Sequence, residues 1–181
     1  MADVVAGKVY LIGAGPGAAD LITVRGARLL AQADAVLHDA LVTPEMLALC
    51  PQAELIPVGK RSGQRSTAQA LINQLLVDAA RRHKLVVRLK GGDPMLFGRA
   101  DEELRALEQA AIPYEIVPGI TAALAAAASA RQPLTRRGIA RSVAGLEGDA
   151  SRGRQALPRW LDPRLAEERL SAAASVRSCL R

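Results

Sequence analysis

The residues whose types and spacing suggest chemistry gather in five short loops. These are Gly13-Ala14-Gly15-Pro16-Gly17, His38-Asp39, Gly59-Lys60-Arg61, Gly91-Gly92-Asp93-Pro94 and Pro118-Gly119-Ile120-Thr121. Asp39 is a candidate general base, because a carboxylate beside a cationic substrate or a ring N–H can accept a proton. It also stands about where a ribose-binding acid sits in a nicotinamide enzyme. Lys60 and Arg61 follow a glycine, and suit a proton donor or an anion clamp. Solvated surface charge is the plainer reading of both. The pair Gly91-Gly92 permits close approach of a ligand to the backbone, and Asp93 could take a ligand's hydroxyl or ammonium. The first loop reads G-x-G-P-G, not the G-x-G-x-x-G of a dinucleotide fingerprint, and Pro16 removes a backbone donor that a phosphate cradle would use.

These loops need elements to hold them. Lys8 to Ile12, Ala35 to Leu37, Leu55 to Val58, Leu85 to Leu89 and Tyr114 to Val117 are short apolar runs that read as buried strands. Between them lie helical patterns. Thr23 and Thr43-Pro44 are start signals. Ala68, Leu71, Ile72, Leu75, Leu76 and Ala79 mark the apolar face of a helix beginning near Thr67. A further helix spans about Arg99 to Ala110, with Ala100, Leu104, Leu107 and Ala111 as its inner stripe. Its acids Asp101, Glu102 and Glu103 suit the positive end of the helix dipole. An alanine-rich helix runs from Thr121 to Ala130. Alternating strands and helices imply an α/β fold, an open and mostly parallel sheet with helices on both faces. In such sheets ligands sit beyond the carboxyl ends of the strands, where all five loops lie.

Composition narrows the class. Half of the 181 residues are hydrophobic, 23% are charged and 2% are aromatic. That is a globular balance with a core of Ala, Leu, Val and Ile. The formal charge is +6, yet no Lys/Arg run exceeds two residues and aromatics are scarce. A small acidic ligand fits this better than nucleic acid does. The longest uncharged stretch, Ile116 to Ala130, is too short for a membrane span. Asp3 stands where a signal peptide would carry a basic residue, and Cys50 and Cys179 make no disulfide framework, so a cytoplasmic location is expected. His38 and His83 are not spaced as metal ligands, and no metal site is expected.

The run Val9-Tyr10-Leu11-Ile12-Gly13-Ala14-Gly15-Pro16-Gly17, followed by Asp20-Leu21-Ile22-Thr23, resembles the opening signature of the uroporphyrinogen-III C-methyltransferases. These are S-adenosyl-L-methionine-dependent tetrapyrrole methylases. The resemblance continues through His38-Asp39-Ala40-Leu41-Val42, Gly59-Lys60-Arg61, and Val86 to Pro94 with Phe97-Gly98-Arg99 and Glu102-Glu103. It ends with Val117 to Ala122 and Pro133-Leu134-Thr135. It implies methyl transfer from S-adenosylmethionine to two pyrrole carbons of uroporphyrinogen III, giving precorrin-2 for sirohaem and cobalamin synthesis. Carried over by motif, Pro16, Gly91, Gly92, Asp93, Leu96, Thr121 and Ala122 would line the S-adenosylmethionine site. Asp39 would be the proton acceptor and Lys60 the proton donor. Uroporphyrinogen carries eight carboxylates, for which Arg61, Arg65 and Arg99 are candidate clamps beside Lys60. The resemblance also implies a homodimer and no nucleic-acid or membrane partner.

The chain departs from the family pattern at Ala18, where Asp is common, at His38, where Tyr is common, and at Arg136, where His is common. A larger departure begins near Gly145. Residues 8–143 carry the motifs of a first domain, whereas 144–181 carry none, so the expectation is a first domain followed by a non-family tail in place of the family's second α/β domain. Asp162-Pro163 could open a short helix there. A frameshift or truncation, or a divergent tail, accounts for this stretch, and weak or absent activity is expected. Two rival readings are a Rossmann-type dinucleotide module and a non-catalytic half-protein that associates with a partner.

Overall fold

The computed structural model describes residues 7–59, 69–138, 143–144 and 174–175. Five strands form one sheet: β1 (Lys8–Gly13), β2 (Ala35–His38), β3 (Glu54–Pro57), β4 (Leu85–Lys90) and β5 (Tyr114–Val117). Their order is β3-β2-β4-β1-β5 and every pairing is parallel. The helices between them are α1 (Val24–Leu30), α2 (Pro44–Leu47), α3 (Gln69–Arg82) and α4 (Ala100–Gln109), with a 3-10 turn at Ala19–Leu21. The open parallel sheet expected from the alternation is therefore present.

Local chemistry starts the first two helices where the sequence marks them. Thr23 Oγ1 accepts from the Gly26 N–H at 3.1 Å, and Thr43 Oγ1 accepts from the Met46 N–H at 3.4 Å, with Pro44 at the first helical position. The strands are buried on both faces. Val9, Leu11, Ala35, Leu37 and Val86 pack with Leu76 of α3 and Leu107 of α4. Ile12, Val36, Val87 and Leu89 point the other way, toward Leu30 of α1 and Met46 of α2. Burying each such side chain contributes roughly 1.5–3 kcal/mol.

That alternation places the charges of β4. Positions 86, 88 and 90 share the face toward α3 and α4. Two helical stripes differ from expectation. In α3 the buried residues are Ile72, Leu76, Val77, Ala79 and Ala80, while Leu71 is 52% exposed. In α4 they are Ala100, Glu103 and Leu107. Ala111 is exposed, just past the helix end, with φ of 54°. The register that turns Leu107 inward also turns Glu103 inward, so packing outweighs the polarity of the side chain.

By its internal contacts the chain divides into residues 1–122 and 123–181. In the second unit, α5 (Ala122–Ser129), which starts at the dividing point, buries Ala127. Two-residue strands β6 (Val143–Ala144) and β7 (Ala174–Ser175) pair in parallel. The short helix read at Asp162-Pro163 lies outside the described residues.

Candidate active site

The loops leaving β1, β4 and β5 meet through backbone. The Gly15 N–H donates to Gly92 O at 3.1 Å and the Gly92 N–H donates to Gly15 O at 2.7 Å. A Cβ on Gly119 would lie 2.2 Å from Gly92 O and 2.7 Å from Gly13 Cα. Only glycine permits so close a crossing. Gly92 has φ of +67°, and a Cβ there would meet just Thr121 Cα, at 3.9 Å. Thr43 Oγ1 donates to Gly17 O at 3.4 Å, which ties in the loop after β2. Asp93 fastens the crossing: its Oδ2 accepts from the Gly119 N–H at 2.8 Å and its Oδ1 from the Met95 N–H at 2.8 Å. This carboxylate is thus engaged by backbone on both oxygens, where the sequence suggested a ligand contact.

A second region is built from side chains on the α3/α4 face. Arg88 and Lys90, 2% and 3% exposed, both approach Glu103, which is 1% exposed. Arg88 Nε donates to Glu103 Oε1 at 2.9 Å, and Lys90 Nζ donates to Oε2 at 2.8 Å. Arg88 Nη2 then donates to Asp39 Oδ1 at 2.6 Å, while Nη1 reaches Leu89 O at 3.2 Å and Leu37 O at 3.5 Å. Two cations and two carboxylates balance. Burial pushes the Lys90 ammonium below the ordinary lysine range, the Arg88 charge adds to this, and Glu103 opposes it. Asp39, Arg88 and Lys90 line a cavity of about 260 Å³ together with Phe97, Gly98 and Arg99, among other described residues. Phe97 and Arg99 hold φ of 55° and 51°, a left-handed geometry that is costly for such side chains.

The expected residues fall as follows. Gly91, Gly92, Asp93 and Thr121 belong to the loop crossing, with Pro16 half-buried in the β1 loop and Ala122 opening α5. Leu96 is 44% exposed beyond β4. Asp39 lies at the end of β2 against Arg88. Arg99 is exposed at the start of α4, where its Nε and Nη2 clasp both oxygens of Glu102. Lys60, Arg61 and Arg65 lie outside the described residues. The sequence reading missed Arg88, Lys90 and Glu103 as a site. A signal was present: two cations at i and i+2 of a buried strand must share a face, and buried charge demands a partner. Among the described residues, no His/Cys/Asp/Glu group could hold a metal ion, and no helix is long and apolar enough to cross a membrane.

The sequence model described as Tetrapyrrole (Corrin/Porphyrin) Methylases matches residues 8–172, past the last quoted motif. A uroporphyrinogen-III C-methyltransferase of Synechocystis is 53% identical over 149 residues, which are 82% of this chain and 57% of that protein. A siroheme synthase of Ectopseudomonas mendocina is 52% identical over 157 residues, 86% of this chain and 34% of that one. The chain thus spans about a third to three fifths of these relatives. A crystal structure of uroporphyrin-III-C-methyltransferase from Thermus thermophilus superposes with a TM-score of 0.68 at 49% identity, covering 76% of this chain and 59% of that one. Another form of that protein, complexed with S-adenosylhomocysteine, gives 0.65 at 47% identity, over 76% and 54% of the two chains. The chain belongs to the tetrapyrrole (corrin/porphyrin) methylases.

Proposed function

We propose that this chain is the first domain of an S-adenosyl-L-methionine-dependent methyltransferase that converts uroporphyrinogen III to precorrin-2. The observation that carries it is Asp39, ion-paired at 2.6 Å to a buried arginine at the rim of a cavity. The names of the relatives, and the S-adenosylhomocysteine held by a neighbouring structure, support the same reading. The glycine crossing fits the methyl donor: the open face of Gly92, next to Thr121, leaves room for a flat group against backbone. Pro16, Gly91, Gly92, Asp93, Leu96, Thr121 and Ala122 would hold it. The bound donor supplies an activated sulfonium methyl.

The protein's own work is then alignment and proton management. Asp39 accepts the proton that the pyrrole ring loses. Arg88 holds that carboxylate in one orientation. Lys60 as proton donor, and Arg61, Arg65 and Arg99 as carboxylate clamps, complete the assignment. The active species is a homodimer in the cytoplasm.

Calorimetric titration with S-adenosylhomocysteine and with NAD tests the donor. Heat with the first and none with the second is expected; the reverse favours a dinucleotide module. Precorrin-2 formation tests the reaction. Asp39→Asn should lower whatever rate exists by about 10²-fold or more. Turnover unaffected by that change removes Asp39 from the mechanism.

A further inference from the structure

Glu103 sits where two independent demands meet. It is a carboxylate on α4 with 1% exposure, and it faces two cations that the strand alternation forces onto one side of β4. Its two oxygens are divided: Oε1 takes Arg88 Nε and Oε2 takes Lys90 Nζ. Lys90 therefore cannot compete for Oε1, and the two cations are kept apart by the anion between them. A guanidinium is a planar fork, so fixing Nε–H fixes the direction in which Nη2–H points. In this chain Nη2 points at Asp39 Oδ1. The backbone carbonyls of Leu37 and Leu89 accept from Nη1 at 3.5 and 3.2 Å, so the charged bond to Glu103, at 2.9 Å, is the shorter and stronger hold on the guanidinium plane.

We propose that Glu103 is a positioning residue: through Arg88 it sets the orientation of the Asp39 carboxylate toward the cavity, while Lys90 balances the charge on its second oxygen. This rests on the reading of Asp39 as proton acceptor. The rival is a purely structural role, in which Glu103 only neutralises buried cations. The two separate cleanly, because replacing a buried ion pair by apolar groups of similar volume is often neutral for stability.

Two charge-balanced double variants of the full chain make the comparison. Lys90→Met with Glu103→Gln keeps an oxygen acceptor for Arg88 Nε. Lys90→Met with Glu103→Met removes it. In ¹⁵N NMR, the Arg88 Nε–H should exchange with solvent slowly in the wild type and in the Gln variant. In the Met variant it should exchange at least about tenfold faster, and the Asp39 signals should shift. Equal protection in both doubles, with Asp39 unmoved, overturns the proposal.

Turnover gives the second readout. The Met double should lose about 10²-fold in kcat, with S-adenosylhomocysteine affinity retained, and the Gln double should recover most of it. Equal kcat in the two doubles also overturns the proposal. A wild type with no turnover defeats the catalytic reading of this chain, while the exchange measurement still decides the positioning. If the Met double fails to fold, Glu103→Asp withdraws the carboxylate by one methylene while keeping the charge. It should likewise speed Nε–H exchange, and unchanged exchange overturns the proposal.

Discussion

The two halves of the candidate site share β4, one reaching to the loops after β1 and β5 and the other to β2 and α4, and are built on opposite principles. Around Gly13, Gly15, Gly92 and Gly119, shape is made by backbone, and side chains matter by being absent. Around Asp39, Arg88, Lys90 and Glu103, shape is made by long charged side chains that meet across β2, β4 and α4. The first region can cradle a flat ligand with little dependence on charge. The second holds the half-buried Asp39 carboxylate in place, because the charges behind it, on Arg88, Lys90 and Glu103, are buried and paired. At Gly13 and Gly119 the backbone-built wall tolerates no added atom, and the charge-built wall tolerates no missing one.

Removing one charge should therefore have the largest effect. Glu103→Leu leaves Arg88 with Asp39 and takes from Lys90 its one carboxylate partner among the described residues, and should lower the free energy of unfolding in urea by about 3–5 kcal/mol. A change below about 1 kcal/mol would mean that water reaches the cluster and that the two regions are not opposites. Adding one methyl to the other wall comes next. Gly119→Ala puts a Cβ 2.2 Å from Gly92 O. It should cost roughly 1–3 kcal/mol and abolish S-adenosylhomocysteine binding, with the Arg88 Nε–H still protected. If it perturbs Arg88 as well, the two regions are one mechanical unit.

A smaller effect is expected from Thr23→Ala, which removes the N-cap of α1 on the far face of the sheet. About 1 kcal/mol should be lost, with donor binding and Nε–H protection both intact. The subtlest difference is in pH dependence. Lys90 titrates below its unfolded value. Above its folded pKa the native state therefore binds fewer protons than the unfolded chain, and the stability that Lys90 contributes rises with pH up to the ordinary lysine range. Below its folded pKa the cost of burying its charge is fully present. The stability of the wild type relative to Lys90→Met should thus increase from neutral toward alkaline pH. A flat difference would show that the ammonium titrates as in water.

The two regions also differed in legibility. Gly91-Gly92-Asp93-Pro94 and the first glycine loop stand out in the sequence, because glycines after an apolar strand have no packing reason to be there. The strands and most helix starts were equally plain, since alternation and Thr capping are local. The cluster around Arg88 was not legible as a site. Glu103 read as an acid suited to the helix dipole and not as a buried one, while Leu104, expected in the inner stripe of α4, does pack against the core as a half-buried residue. Leu71, by contrast, read as buried. Both misreadings concern which way a helix rolls, and that is decided by what it packs against.

By itself, then, the sequence determined the α/β alternation, the loops that carry chemistry and the family to which they belong. These rest on local backbone preferences and on motifs whose residues are neighbours in the chain. Only the tertiary structure decided that Arg88 grips Asp39 and that Glu103 stands behind them both. Those facts depend on strand order and helix rotation, which bring together residues 15 to 64 positions apart in the chain into one low-dielectric space where an unpaired charge is costly.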